Sequence, residues 1–389
     1  MKKSSVLFGM ALALGLSSIA RSEPVLKPES ASTVEEKPLV QLALLLDTSN
    51  SMDGLIQQAK TQLWRIVNEF LAARQDGRTP QVEVALYEYG NDNLQAGEGF
   101  VRQVAPLTQD LDKVSEALFG LRTRGGSEYC GWVIRDSVQG LQWNPSAKVY
   151  KAIFIAGNEP FTQGAVEYRE ACKSAVERGI IVNTIHCGSE SDGVNGKWRD
   201  GAALADGRFL TINQDARVAD VPAPQDKEIA ELNTKLNSTY VAYGRRGAEG
   251  KHRQEAQDSN AAATSAPASV TAQRALTKSS GFYTNPTWDL VDAATEKNFD
   301  LGQVKEEELP EELRKLSLED RRRFLESKRQ ERTTLQEQIQ KLSADREKFI
   351  AAARKEQSAG STLDQAVTTA IREQAHKKAF QFDQAGQTR

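Results

Sequence analysis

The run VQLALLLDTSNSMDG, residues 40–54, constrains the fold more than any other part of the chain. Leu44, Leu45 and Leu46 follow one another without polar alternation, the pattern of a strand buried on both faces of a parallel sheet. Asp47 stands where that strand leaves the core. Ser49 and Ser51 follow at alternate positions, and a helical pattern begins near Gly54. In open α/β sheets, ligands bind beyond the carboxyl ends of the strands. A carboxylate and two hydroxyls converging there form a hard, oxygen-rich site, suited to a small divalent cation that keeps some of its water, Mg²⁺ above all.

The pattern that follows alternates helix and strand. Leu55, Leu63, Ile66, Val67, Phe70 and Leu71 recur at helical spacing and predict an amphipathic helix over 54–74. Val82, Val84, Leu86, Tyr87 and Tyr89 predict a strand, joined by a short loop to FVRQVAPL as an antiparallel edge. Helices are expected over 110–121, 133–141 and 165–178, the last stopped by Gly179. Further strands are expected at 152–155 and 180–186, with a short helix and a last edge strand between 202 and 212.

This arrangement resembles the von Willebrand factor type A domain, whose metal-ion-dependent adhesion site opens with Asp-x-Ser-x-Ser after the first strand, here Asp47, Ser49 and Ser51. The resemblance covers 38–213 and implies a doubly wound, Rossmann-like, mostly parallel α/β sheet. It also implies a second metal contact from a Gly-Gly-Thr loop, matched by Gly125-Gly126-Ser127, so that Ser127 takes the hydroxyl position and Glu128 stands next in line. In the third loop the family's Thr-Asp-Gly is matched by Ala156, Gly157 and Asn158. The carboxylate is missing at 157, and Glu159 is the nearest substitute. Divalent affinity is expected to fall with that charge.

Beyond 213 the composition changes. Residues 214–224 read as a linker, and 225–389 as a mainly helical, coiled-coil-like region separable from the α/β domain. A helix is expected over 225–240, and another over 248–275, interrupted near Ser259-Asn260 and Pro267. Phe282, Tyr283, Trp288, Leu290 and Val291 form an aromatic cluster expected to dock within the chain. Ser317-x-x-Asp320 is a capping box opening a long helix to about 356. Leu325, Leu335, Ile339, Leu342 and Phe349 make its apolar stripe, interrupted by Lys328, Arg332 and Arg346, which suits a bundle seam better than a free coiled coil.

The chain has 389 residues and a net charge of −3, which gives no footprint for nucleic acid. Lys2 and Lys3, the apolar run 6–16 and Ala20-Arg21-Ser22 predict a secretory signal over 1–22, with a polar leader over 23–37. The run is short for a membrane anchor, no later stretch is apolar enough to span, and a periplasmic or secreted location is expected. Cys130, Cys172 and Cys187 allow one disulfide and a spare thiol, or three buried thiols, and spacing does not choose. His186 beside Cys187 reads as packing.

The leading functional expectation is a binding protein whose partner, a protein, donates a carboxylate to a cation held by Asp47, Ser49, Ser51 and Ser127. A metal-free scaffold working through its C-terminal helices is the alternative. A metal-dependent hydrolase stands third: Glu128 and Glu159 are its only candidate acids or bases, and no hydrolase motif is present.

Overall fold

A computed structural model describes residues 37–213, 215, 221–354 and 363–382. The expected signal and nearly all of the leader, with most of the 214–224 linker, lie outside those residues. β1 (Leu39–Asp47) is buried from its second residue onward. Leu42, Leu44 and Leu46 enter one layer of the core, and Ala43 and Leu45 the other. Both faces are covered, which is why the segment shows no polar alternation. β1 pairs in parallel with two neighbours, so Asp47 leaves the middle of the sheet.

In chain order there follow α1 (Asp53–Asn68), β2 (Ala73–Arg74), β3 (Gln81–Tyr89), β4 (Val101–Thr108), α2 (Leu111–Gly120), α3 (Cys130–Gly140), β5 (Tyr150–Gly157), α4 (Tyr168–Glu177), β6 (Ile181–Cys187), α5 (Glu190–Asn195), α6 (Trp198–Leu204) and β7 (Phe209–Ile212). The six-stranded sheet runs β4-β3-β1-β5-β6-β7, with β4 antiparallel at its edge. α1 and α2 cover one face, and α3, α4 and α6 the other. This is the doubly wound fold expected. Gly179 closes α4 at φ +68°, its N–H donating to the Val176 carbonyl.

The expected helix over 54–74 is too long. α1 stops at Asn68, a 3-10 turn follows, and Ala73–Arg74 becomes a strand. The reason lies far away in sequence: Ala73 and Arg74 pair with residues 381 and 382, and that pairing overrides local helical periodicity.

The helical part comprises α7 (Asp226–Asn237), α8 (Gly247–Ala262), α9 (Pro267–Lys278), α10 (Leu290–Ala293), α11 (Glu311–Arg314), α12 (Leu318–Arg354) and α13 (Leu363–His376), ending in β8 (Gln381–Phe382). The long helix expected over 248–275 breaks between α8 and α9, where Pro267 takes a first-turn position. Ser317 accepts from the Asp320 N–H, as a cap should. Tyr283 and Trp288 are buried with Ile229, Leu236, Leu335 and Ile339, so the aromatic cluster docks inside the chain. Phe349 departs from the expected stripe and is exposed. Two of the interrupting cations are buried anchors. Arg332 donates to Asp289 at 2.8 Å and Asp292 at 2.7 Å and lies over the Tyr240 ring, and Arg346 donates to Asp226 at 2.6 Å.

The last helix corrects the expectation of a separable C-terminal region. Leu363, Val367, Ala370 and Ile371 of α13 share one core with Leu44, Leu46, Leu63 and Phe154. Below them the buried Gln374 accepts from Tyr150 Oη at 2.9 Å and exchanges hydrogen bonds with Asn183 of β6. A second tie joins α2 to the inserted helices: Asp112 pairs with Arg274, which pairs with Asp258, which pairs with Lys278. The described residues from Lys37 onward therefore form one compact unit, in which 221–354 is inserted between the last sheet strand and the final helix.

Candidate functional site

The site is built by the turn after β1 and the loops that meet it. Asp47 is fully buried, and its Oδ1 accepts from the Ser49 N–H at 2.7 Å, an Asp side chain bonding the backbone two residues on. Ser49 Oγ and Ser51 Oγ lie 3.2 Å apart. Backbone bonds lace the loops together: Thr48 N–H to the Tyr89 carbonyl at 2.8 Å, Arg124 N–H to the Thr48 carbonyl at 2.8 Å, and Asn50 N–H to the Gly125 carbonyl at 3.0 Å. These bonds tie the turn after β1 to the end of β3 and to the loop before α3.

In the loop before α3, Ser127 is half-buried and forms an isolated backbone bridge with Gly90. Glu128 is the residue that enters the core, at 3% exposure, with its side chain beside the Asp47 carboxyl. The chain passes close here. Gly90 holds φ +81°, and a Cβ on it would lie 2.8 Å from Asp47 Oδ1 and 2.9 Å from Glu128 Cγ.

In the third loop Gly157 has an ordinary φ, but a Cβ there would collide with Tyr89 Oη and stand 3.1 Å from Asp47 Oδ2. Tyr89 Oη donates to the Ala156 carbonyl at 3.0 Å. The next residue, Asn158, donates through Nδ2 to Ser51 Oγ at 3.1 Å. Glu159 is half-buried and its carboxylate accepts from Gln163, while its carbonyl accepts from Trp198 Nε1 at 2.8 Å.

The electrostatics follow from burial. Desolvation raises the Asp47 carboxyl well above the usual range, and the adjoining Glu128 carboxyl adds to it. Glu128 is also raised, by burial first, with the Glu159 charge contributing, while Asp47, the Ser49 hydroxyl and the Glu159 N–H counter it. Two carboxyls in this position share a proton or neutralise their charge on a cation. Among the described residues Asp47 Oδ2, Glu128 Oε2 and Asn158 Oδ1 are buried without a hydrogen-bond partner. Unpartnered buried acceptors, together with two serine hydroxyls, fit a hard divalent ion. Among the described residues no group of three or more His, Cys, Asp or Glu side chains is placed to hold a metal, so such an ion has two carboxylates at most and takes its other oxygens from hydroxyl, amide and water.

Asp47, Ser49, Ser51 and Glu128 come together, then, whereas Ser127 is engaged through its backbone and the Glu159 carboxylate with Gln163. Sequence reasoning missed Tyr89 and Asn158. The signal for Tyr89 was the small pair Ala156-Gly157 at a strand end, which leaves room for a neighbouring ring. His186 packs against Trp198 and its pKa is lowered by burial, in keeping with the packing reading, although its Nδ1 has no hydrogen-bond partner. All three cysteines are free and buried.

The sequence profile of the von Willebrand factor type A domain matches residues 41–204. Solved structures similar to this chain include proximal thread matrix protein 1 from the mussel byssus, with zinc in its MIDAS motif (14% identity, TM-score 0.34, 45% of this chain and 42% of that one). They also include BatB from Bacteroides thetaiotaomicron (18%, 0.35, 44% and 90%) and the SpRpn10 VWA domain (16%, 0.34, 45% and 88%). The similarity thus spans less than half the length of the mussel protein. No curated protein matches the chain.

Proposed function

With residues 41–204 a von Willebrand factor type A domain, we propose that the chain is an exported binding protein that takes a protein partner at the Asp47 face with the help of a divalent cation. The type A domain is an interaction fold, and the carrying observation is the set of buried, unpartnered oxygens on Asp47, Glu128 and Asn158. Asp47 would hold the ion together with the Ser49 and Ser51 hydroxyls, directly or through water. When bound, Mg²⁺ supplies a positive centre that accepts a carboxylate from the partner. Ser51 and Asn50 are exposed at the rim, where a partner can reach.

Export is supported by the n-region, apolar run and small-residue cleavage pattern of 1–22. Among the described residues no helix is long and apolar enough to cross a membrane. The test is capture from an envelope extract by wild type and by Asp47→Ala, each with Mg²⁺ or EDTA. A partner retained by wild type in Mg²⁺ and lost in the other three arms supports the reading. A partner retained equally in all four would place the working surface elsewhere, on the helices of the scaffold reading.

A further inference from the structure

We propose that Glu128 supplies the second carboxylate of this centre, from the loop before α3, in place of the third-loop carboxylate that the chain lacks. Asn158 joins it as a neutral oxygen. The inference rests on the cation reading above and concerns which residues of this chain carry the charge.

Three observations lead there. The third loop has no space for the missing group: a side chain at Gly157 would run into Tyr89 Oη, which is fixed on the Ala156 carbonyl. The second loop delivers a carboxylate where a hydroxyl was expected. Ser127 is held through its backbone, in an isolated bridge to Gly90. Of the two residues Glu128 is the buried one, and its Cγ and Asp47 Oδ1 both lie within 3 Å of where a Cβ on Gly90 would stand. Its Oε2 is without a partner, as is Asp47 Oδ2. Asn158, with Nδ2 committed to Ser51, has Oδ1 left over as an acceptor.

The charge count then closes. Asp47 and Glu128 carry two negative charges when ionised, equal to the charge of a divalent ion, so the loss at 157 is made good one loop away. Calcium and magnesium sites tune affinity through the number of charged ligands, so this pair retains the ion before any partner arrives. Glu159 holds its own carboxylate on Gln163.

The experiment is isothermal titration calorimetry of the full chain with MnCl₂, without partner, on wild type, Glu128→Gln, Glu128→Asp and Glu159→Gln, with circular dichroism to confirm folding. Outer-shell partners of a metal are worth about 10–100-fold in affinity, so Glu128→Gln should weaken Mn²⁺ by at least about tenfold. Glu128→Asp should fall between that variant and wild type, and Glu159→Gln should bind within about twofold of wild type, since it leaves the charged pair intact. Wild-type affinity in Glu128→Gln, or an equal loss in Glu159→Gln, overturns the placement and leaves the cation reading standing. Wild type that takes up no Mn²⁺ at millimolar concentration overturns both.

Discussion

The Tyr89 hydroxyl fills the space that a Cβ on Gly157 would need at the carboxyl end of the sheet. A side chain at 157 would meet that hydroxyl before it reached solvent. The third-loop carboxylate expected of a type A domain is therefore missing for a steric reason, and restoring it by one substitution does not restore a site. Gly157→Asp should destabilise by about 1–3 kcal/mol through overpacking, and Tyr89→Phe in the same chain should recover part of the loss. Urea unfolding of the single and double variants measures both.

Much of this was legible in advance because it rests on local pattern. The unbroken apolar run before Asp47 sets a central strand, and Asp-x-Ser-x-Ser sets the turn after it. What was not legible depends on residues distant in sequence. The end of α1 is set by the pairing of Ala73 with residue 382. The burial of Glu128 beside Asp47 depends on a loop that meets Gly90 only in the fold, and the closing of position 157 on a ring from the neighbouring strand but one. No periodicity in the chain announces that its final helix returns to the first core.

That return makes α13 a stability element of the α/β domain. Ile371 is fully buried against the sheet. Ile371→Ala should cost about 2–5 kcal/mol and should lower the single unfolding transition seen by both tryptophan fluorescence and far-UV circular dichroism. Two separate transitions, with the variant moving only one, would restore the idea of a separable helical region.

Arg332 and Lys328 both interrupt the apolar stripe of α12, yet they should behave differently. Arg332 is buried between Asp289 and Asp292, and removing it strands two carboxyls in the core. Arg332→Ala should cost about 3–5 kcal/mol. Lys328 pairs with Glu331 at the surface, so Lys328→Ala should stay within about 0.5 kcal/mol of wild type. Equal effects in denaturant melts would contradict the contrast.

The buried chain of charges linking α2 to α8 and α9 gives a pH signature. Burial raises the Asp258 carboxyl, but Lys278 and Arg274 overcome it and hold the group well below its ordinary range. A depressed carboxyl contributes stability above its unfolded pKa, and that stability is lost as pH falls through the folded value. Burial lowers Lys278 to about 8, against the opposing pull of Asp258. The unfolded chain then holds that proton more tightly, so the Lys278 contribution to stability rises with pH from about 8 to about 10. Lys278→Met should remove this alkaline rise, and Asp258→Asn should flatten the acid limb. Stability measured across pH in both variants checks the two signs.

The central claim is that Asp47 anchors a divalent cation at the end of β1, and the melting temperature of wild type and Asp47→Ala with and without Mg²⁺ tests it most directly. An ion at 100 times its dissociation constant stabilises the folded state by roughly 2.7 kcal/mol. Wild type should melt higher in Mg²⁺ and return to its starting value in EDTA, while Asp47→Ala should not respond. Wild type unmoved by millimolar Mg²⁺ and Mn²⁺, or Asp47→Ala responding as wild type does, would contradict the account.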